Sequence, residues 1–106
     1  MKVVLILVPV IVVLALFGYF SFSNKPTPSA VGACIAMCKQ VVASGVDVSA
    51  GQCLSNEISP DWVCDMVHNP RIPTDNLPDN QCSAFVKGSA RHFVEVDMNC
   101  NVARVY

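Results

Sequence analysis

Six cysteines, Cys34, Cys38, Cys53, Cys64, Cys82 and Cys100, carry the plainest chemical information in this 106-residue chain. An even number of thiols in a small domain behind an apolar export-type segment reads as three disulfides, because such bridges form and persist in oxidising compartments. Spacing does not choose among the possible pairings. One constraint follows from helix geometry. Cys34 and Cys38 lie four apart in a predicted helix and share a face, so they are expected to reach two different partners and rivet that helix to the rest of the domain.

Trp62, Asp65, His68 and Arg71 form the densest run of functional-type side chains, and Trp and Arg recur at binding hot spots. The structural alternative makes Trp62 the large aromatic that fills a small core, with Asp65 and Arg71 as an ion pair. A metal reading starts from Cys64 and His68, which share a face if their stretch is helical. Cys82 and His92 would complete a Cys2His2 set of the kind zinc takes tetrahedrally. The Cys82–His92 interval is longer than ligand spacing in structural zinc sites, and bridged cysteines would have no thiolate to give. A thiol oxidoreductase wants Cys-x-x-Cys at a helix start; the close pair here is Cys-x-x-x-Cys in mid-helix. No serine stands in a Gly-x-Ser-x-Gly setting, and His68 and His92 have no partner visible in the sequence. The expectation is a non-enzymatic domain without a cofactor, zinc-type metal binding being the alternative.

The elements that must position these residues follow from local chemistry. Ser29 is a helix cap, residues 30–44 read as a helix, and Gly45 stops it. Val31, Cys34, Cys38, Val41 and Val42 give that helix one apolar stripe. Residues 46–58 read as loop, with Gly51, Ser55 and Asn56 as breakers. Ser59-Pro60-Asp61 can open a short helix, while 62–67 can equally be a buried strand. Pro70, Pro73 and Pro78 make 69–79 an irregular connection. Asp79 is a candidate cap for a brief helix over 80–87, ended by Gly88. Residues 91–96 alternate as a strand, 97–99 turn, and 100–106 return as a second strand. The expected class is a small α+β, disulfide-stapled domain with a C-terminal β-hairpin.

Ahead of it, residues 3–22 carry no charge, and fifteen of these twenty positions are Val, Leu, Ile or Phe. About 20 apolar residues cross a hydrocarbon core as a helix, and Pro9 and Gly18 are tolerated there. The rival reading is a cleaved export signal with Ser21 and Ser23 as the small pair before Asn24. The organisation read from the sequence is thus an anchor (1–23), a stiff Pro-containing linker (24–29) and a cysteine-rich domain (30–106). Lys2 and the amino terminus on one side, against Lys25 on the other, set a weak positive-inside bias that puts the domain outside the cytoplasm. From Asn24 onward the chain has six basic and eight acidic residues and no basic run, so nucleic acid is not an expected partner. The expected partners are the lipid bilayer, through 3–22, and another protein.

Trp62-Val-Cys-Asp-Met-Val-His-Asn-Pro-Arg71, and Asp79-Asn-Gln-Cys82 continuing to His92-Phe-Val-Glu-Val-Asp97, resemble a set of small, uncharacterised, mainly archaeal proteins with an N-terminal apolar segment and a cysteine-containing tail. The resemblance covers roughly the last half of the chain. It implies a prokaryotic, membrane-associated setting and no activity.

Overall fold

The computed structural model describes residues 29–106. The expected anchor and most of the linker lie outside these residues; among the described residues no helix is long and apolar enough to cross a membrane. The chain runs as helix α1 (Ala30–Ala43), strands β1 (Cys53–Ser59) and β2 (Trp62–Met66), a crossover, and strands β3 (His92–Val96) and β4 (Val102–Val105). The crossover contains 3-10 turns at Pro73–Asn76 and Pro78–Asn80 and the one-turn helix α2 (Ser83–Val86).

α1 begins where the sequence places it. The Ser29 hydroxyl accepts from Gly32 N at 3.1 Å, satisfying one of the amides a helix start leaves without a partner. It ends at Ala43, and Gly45 follows at φ +80°, a left-handed conformation favourable to glycine. Its buried stripe is narrower than expected: Cys34 and Cys38 are fully buried, Val31 and Ile35 partly, and Val42 is exposed.

The four strands stand in sequence order in one mixed sheet. β1 and β2 form an antiparallel hairpin whose turn is Pro60–Asp61. Asp61 takes φ +72°, as the second central residue of a type II turn requires after a proline. The alternative of a helix opening at Ser59 is therefore not the one realised. β1 itself corrects the expected loop over 46–58. Its register slips between Cys53 and Ser55 and again before Ser59, so the bulged strand lacks the clean alternation by which strands are read. β2 and β3 pair in parallel from Trp62↔His92 to Met66↔Val96, which obliges the chain to cross over one face of the sheet. β3 and β4 form the expected C-terminal hairpin. At its turn the Asp97 carboxylate accepts from the Asn99 and Asn101 amides at 2.9 and 3.0 Å. The expected helix over 80–87 shrinks to Ser83–Val86, because Gln81 and Cys82 are extended and follow a separate 3-10 turn.

Strand alternation divides the core in two. Cys64, Met66, Val94 and Val96 face α1 with Cys34 and Cys38; Val63, Phe93, Cys82 and Ala90 pack under the crossover. Three disulfides fasten these layers. Cys34–Cys64 joins α1 to β2, Cys38–Cys100 joins α1 to the last turn, and Cys53–Cys82 joins β1 to the crossover, with Cα–Cα distances of 5.4, 5.6 and 4.8 Å. Cys34 and Cys38 thus reach separate partners, as their shared helix face demands. A small domain has a core too thin to tolerate much loss, and bridges that close long loops restrict the unfolded chain most.

Candidate functional site

The cluster read from the sequence is distributed over three places. Trp62 begins β2 on the α1 side, only half-buried, and stacks on His92 of β3 at 4.6 Å between ring centroids. It is not the centre of the core; Met66, Val63, Val94 and Val96 are. The reason is positional: the first residue of a strand sits at the sheet's rim.

His68 belongs to a structural knot. Its ring contacts the Asp75 carboxylate through Nδ1 at 2.8 Å and the Ser49 carbonyl through Nε2 at 2.9 Å. Asp75, fully buried, also accepts the amides of His68 and Ile72. Burial works against its charge, yet the bonds from Ile72 and His68 hold its carboxyl below the usual range. Gly51 passes so close that a Cβ there would lie 2.7 Å from Asp75 Oδ1.

The remaining pair is separated by a third residue. Arg71 does not bond Asp65; its Nη1 donates to Glu95 Oε2 and its Nε to Asn76 Oδ1 at 2.8 Å. Glu95, almost fully buried, receives Arg104 Nε on its other oxygen at 2.7 Å. Register makes this a row on the crossover face: Cys53, Asp65, Glu95 and Arg104 stand side by side on β1, β2, β3 and β4. Both Glu95 oxygens are taken, and among the described residues Asp65 is left with no counter-ion.

Asp65 is 7% exposed, and its Oδ1 is buried with no hydrogen-bond partner among the described residues. Buried polar atoms are rarely left in this state. Burial pushes its carboxyl up to about 7, neighbouring Glu95 adds to the rise, and Arg71 opposes it. The group lines a cavity of about 110 Å³ between the sheet and the crossover, with Val63, Phe85, Val86 and Phe93 as its apolar wall and Arg71, Gln81, Glu95 and Arg104 as its polar one. Around it the aromatic rings interlock. Phe85 meets Phe93 edge-on at 4.9 Å, Tyr106 stacks on Phe93 at 5.4 Å, and the Arg104 guanidinium lies 4.8 Å from the Phe93 centroid. Val86 and Tyr106 are largely exposed.

A second hollow, about 330 Å³, lies between His68 and the Asp97–Asn99 turn. Its two titratable groups are already engaged, His68 by Asp75 and Asp97 by the turn amides. The crossover cavity, with its unpartnered acid, is the better candidate site.

The Cys64, His68, Cys82, His92 set is not assembled as a ligand shell. Cys64 and Cys82 are both spent in disulfides, and the two histidines lie in different contacts. Among the described residues no three of His, Cys, Asp and Glu gather to hold a metal ion. Sequence reasoning found Asp65 and Arg71 but missed Glu95, Arg104, Phe85 and Phe93. The signal available was a charge in an apolar run: Asp65 within Val63–Val67, and Glu95 between Val94 and Val96. A charge in such a place is almost always paired or functional. Compared with known proteins, the chain matches no family model, no curated protein and no solved structure, so its function rests on the chemistry of these residues.

Proposed function

We propose that this domain is a non-enzymatic, membrane-tethered binding module or accessory subunit on the outer side of the membrane, and that it seats one side chain of a partner protein in the crossover cavity. The observation that carries the reading is the Asp65 carboxyl, without a counter-ion among the described residues, on the wall of a cavity that joins apolar side chains to Arg71, Gln81, Glu95 and Arg104. At about 110 Å³ the cavity is well below the ~300–1,000 Å³ of small-molecule sites and suits a single projecting side chain. Its surroundings have hot-spot composition, with Tyr106, Phe85 and Arg104 next to exposed Val86. Three disulfides support an extracytoplasmic setting, and the uncharged run 3–22 supports the tether.

Site-specific photo-crosslinking in the full chain tests this. A crosslinker at Val86, on the cavity wall, is expected to trap a defined protein that one at Lys39, exposed on α1, does not. That protein, purified, should bind the full chain and lose at least tenfold in affinity on Phe85→Ala. Equal trapping at both positions, or affinity unchanged by Phe85→Ala, would remove this function from the cavity.

A further inference from the structure

We infer that the crossover cavity is a receptor for a primary ammonium group on an apolar stem, supplied by a lysine side chain of the partner; this rests on the binding reading above. The placement of charge is the reason. Arg71 and Arg104 both spend themselves on Glu95, one on each oxygen. Asp65, next in the row, lines the cavity, and among the described residues no side chain donates to its carboxyl. A donor entering the cavity would meet this carboxyl. Glu95 acts on Asp65 more strongly than Arg71 does, and Asp75 adds to the effect. An ionised Asp65 would attract a cation, while Arg71 and Arg104, which also line the cavity, stay bonded to Glu95.

The walls select the kind of cation. Val63, Phe85, Val86 and Phe93 give an apolar lining suited to a methylene stem, as long cationic side chains lay their stems on apolar surface. The slender tip of an ammonium suits a cavity of about 110 Å³ better than a planar guanidinium fork does. A lipid ethanolamine head also carries an ammonium, but its short stem ends in a phosphodiester, which would be drawn into the apolar part of the cavity. The lysine stem has no such group. The observations favour protein over lipid.

Ammonium binding needs Asp65 ionised, so affinity is tied to its titration. The charged groups around it are Glu95 from β3, Arg71 and Asp75 from the crossover, and Arg104 beyond Glu95 on β4. With the Asp65 carboxyl pushed up to about 7, affinity for an ammonium should rise about tenfold between pH ~6 and pH ~8 and level off above that.

The experiment is an NMR titration of the full chain in detergent micelles with n-butylammonium chloride, using butyrate and n-butanol as controls of similar size. Butylammonium is expected to shift the signals of Asp65, Phe85 and Phe93 saturably, about tenfold more tightly at the higher pH. Asp65→Asn, nearly isosteric, should abolish the response, and Phe85→Ala should weaken it while leaving its pH dependence. Saturation by butyrate, or a response that survives Asp65→Asn, overturns the assignment. Silence with every probe also overturns it and leaves a cavity holding only water. Shifts caused by phosphatidylethanolamine bicelles, without added amine, would overturn the choice of protein over lipid. The two readings fail separately. A partner trapped at Val86 with butylammonium silent refutes the ammonium site alone; butylammonium binding with no partner trapped refutes the module alone.

Discussion

Replacing Asp65 by Asn exchanges one carboxyl oxygen for an amide and leaves the shape of the side chain almost unchanged. Its effect on stability can be worked from the fold. In the unfolded chain this carboxyl ionises near its ordinary 3.8, and in the native state near about 7. Between those values the folded protein holds a proton that the unfolded chain has released. Wild-type stability therefore falls as pH rises from about 4 to about 7, and is flat beyond, as far as this group is concerned. A difference of about three pKa units corresponds to about 4 kcal/mol at roughly 1.4 kcal/mol per unit. Asn has nothing to ionise. The stability of Asp65→Asn minus that of wild type should thus grow by about 4 kcal/mol from pH ~4 to pH ~8. Asp61 and Asp75 are shifted the other way, so their contributions are lost in acid; they are common to both proteins and cancel in the difference. Chemical denaturation at stepped pH, with bridges intact, measures it directly. The expected direction is fixed: the variant gains on wild type as pH rises. Parallel stability curves across this range would refute the assignment of Asp65 as a buried carboxyl without a counter-ion.

The other predictions concern the scaffold. Gly51→Ala should destabilise by roughly 1–3 kcal/mol in denaturant melts, since Gly51 has φ +67° and its Cβ would press on Asp75 Oδ1 and on the Met66 carbonyl at 3.0 Å. Cys34→Ser and Cys38→Ser should each cost about 2–5 kcal/mol, and alkylation with mass mapping should find Cys64 free in the first and Cys100 free in the second. Arg71→Ala should lower stability by about 1–3 kcal/mol in thermal melts, because it removes one of the two arginines on buried Glu95 while Arg104 stays on the other oxygen. An unchanged midpoint in Arg71→Ala would count against the Glu95 pairing.

From the sequence Trp62 reads as core filler and Arg71 as an outlying ion pair; the fold instead sets Trp62 at the sheet rim and Arg71 on buried Glu95. α1, the separate destinations of Cys34 and Cys38, and the β3–β4 hairpin were legible because local chemistry decides them: a serine cap, a four-residue spacing, an alternation with a turn. β1 was not, since its bulges erase the alternation. The parallel β2–β3 pairing was out of reach for a different reason. It joins residues about 30 apart, with no local signal announcing it. The site is made by that pairing. Asp65 and Glu95 become neighbours only through it, and Arg71 then chooses Glu95 over the nearer-in-sequence Asp65. Asp65 and Arg71 could be suspected from residue type; that they are kept apart by a third charge could not.

The distribution of the bridges gives the row its physical sense. Cys34–Cys64 and Cys38–Cys100 both fasten the α1 face, where every fully buried strand residue is apolar. On the opposite face a single bridge, Cys53–Cys82, stands beside Asp65 in the row. An unpaired carboxyl that costs about 4 kcal/mol when ionised would take a large share of the ~5–15 kcal/mol that holds an ordinary domain folded. The first face is stapled by bridges separate from the one beside Asp65. A cation entering the crossover cavity would favour the ionised form that folding disfavours. Asp65→Asn therefore separates two properties usually lost together: the domain should gain stability relative to wild type as pH rises, and be less able to bind.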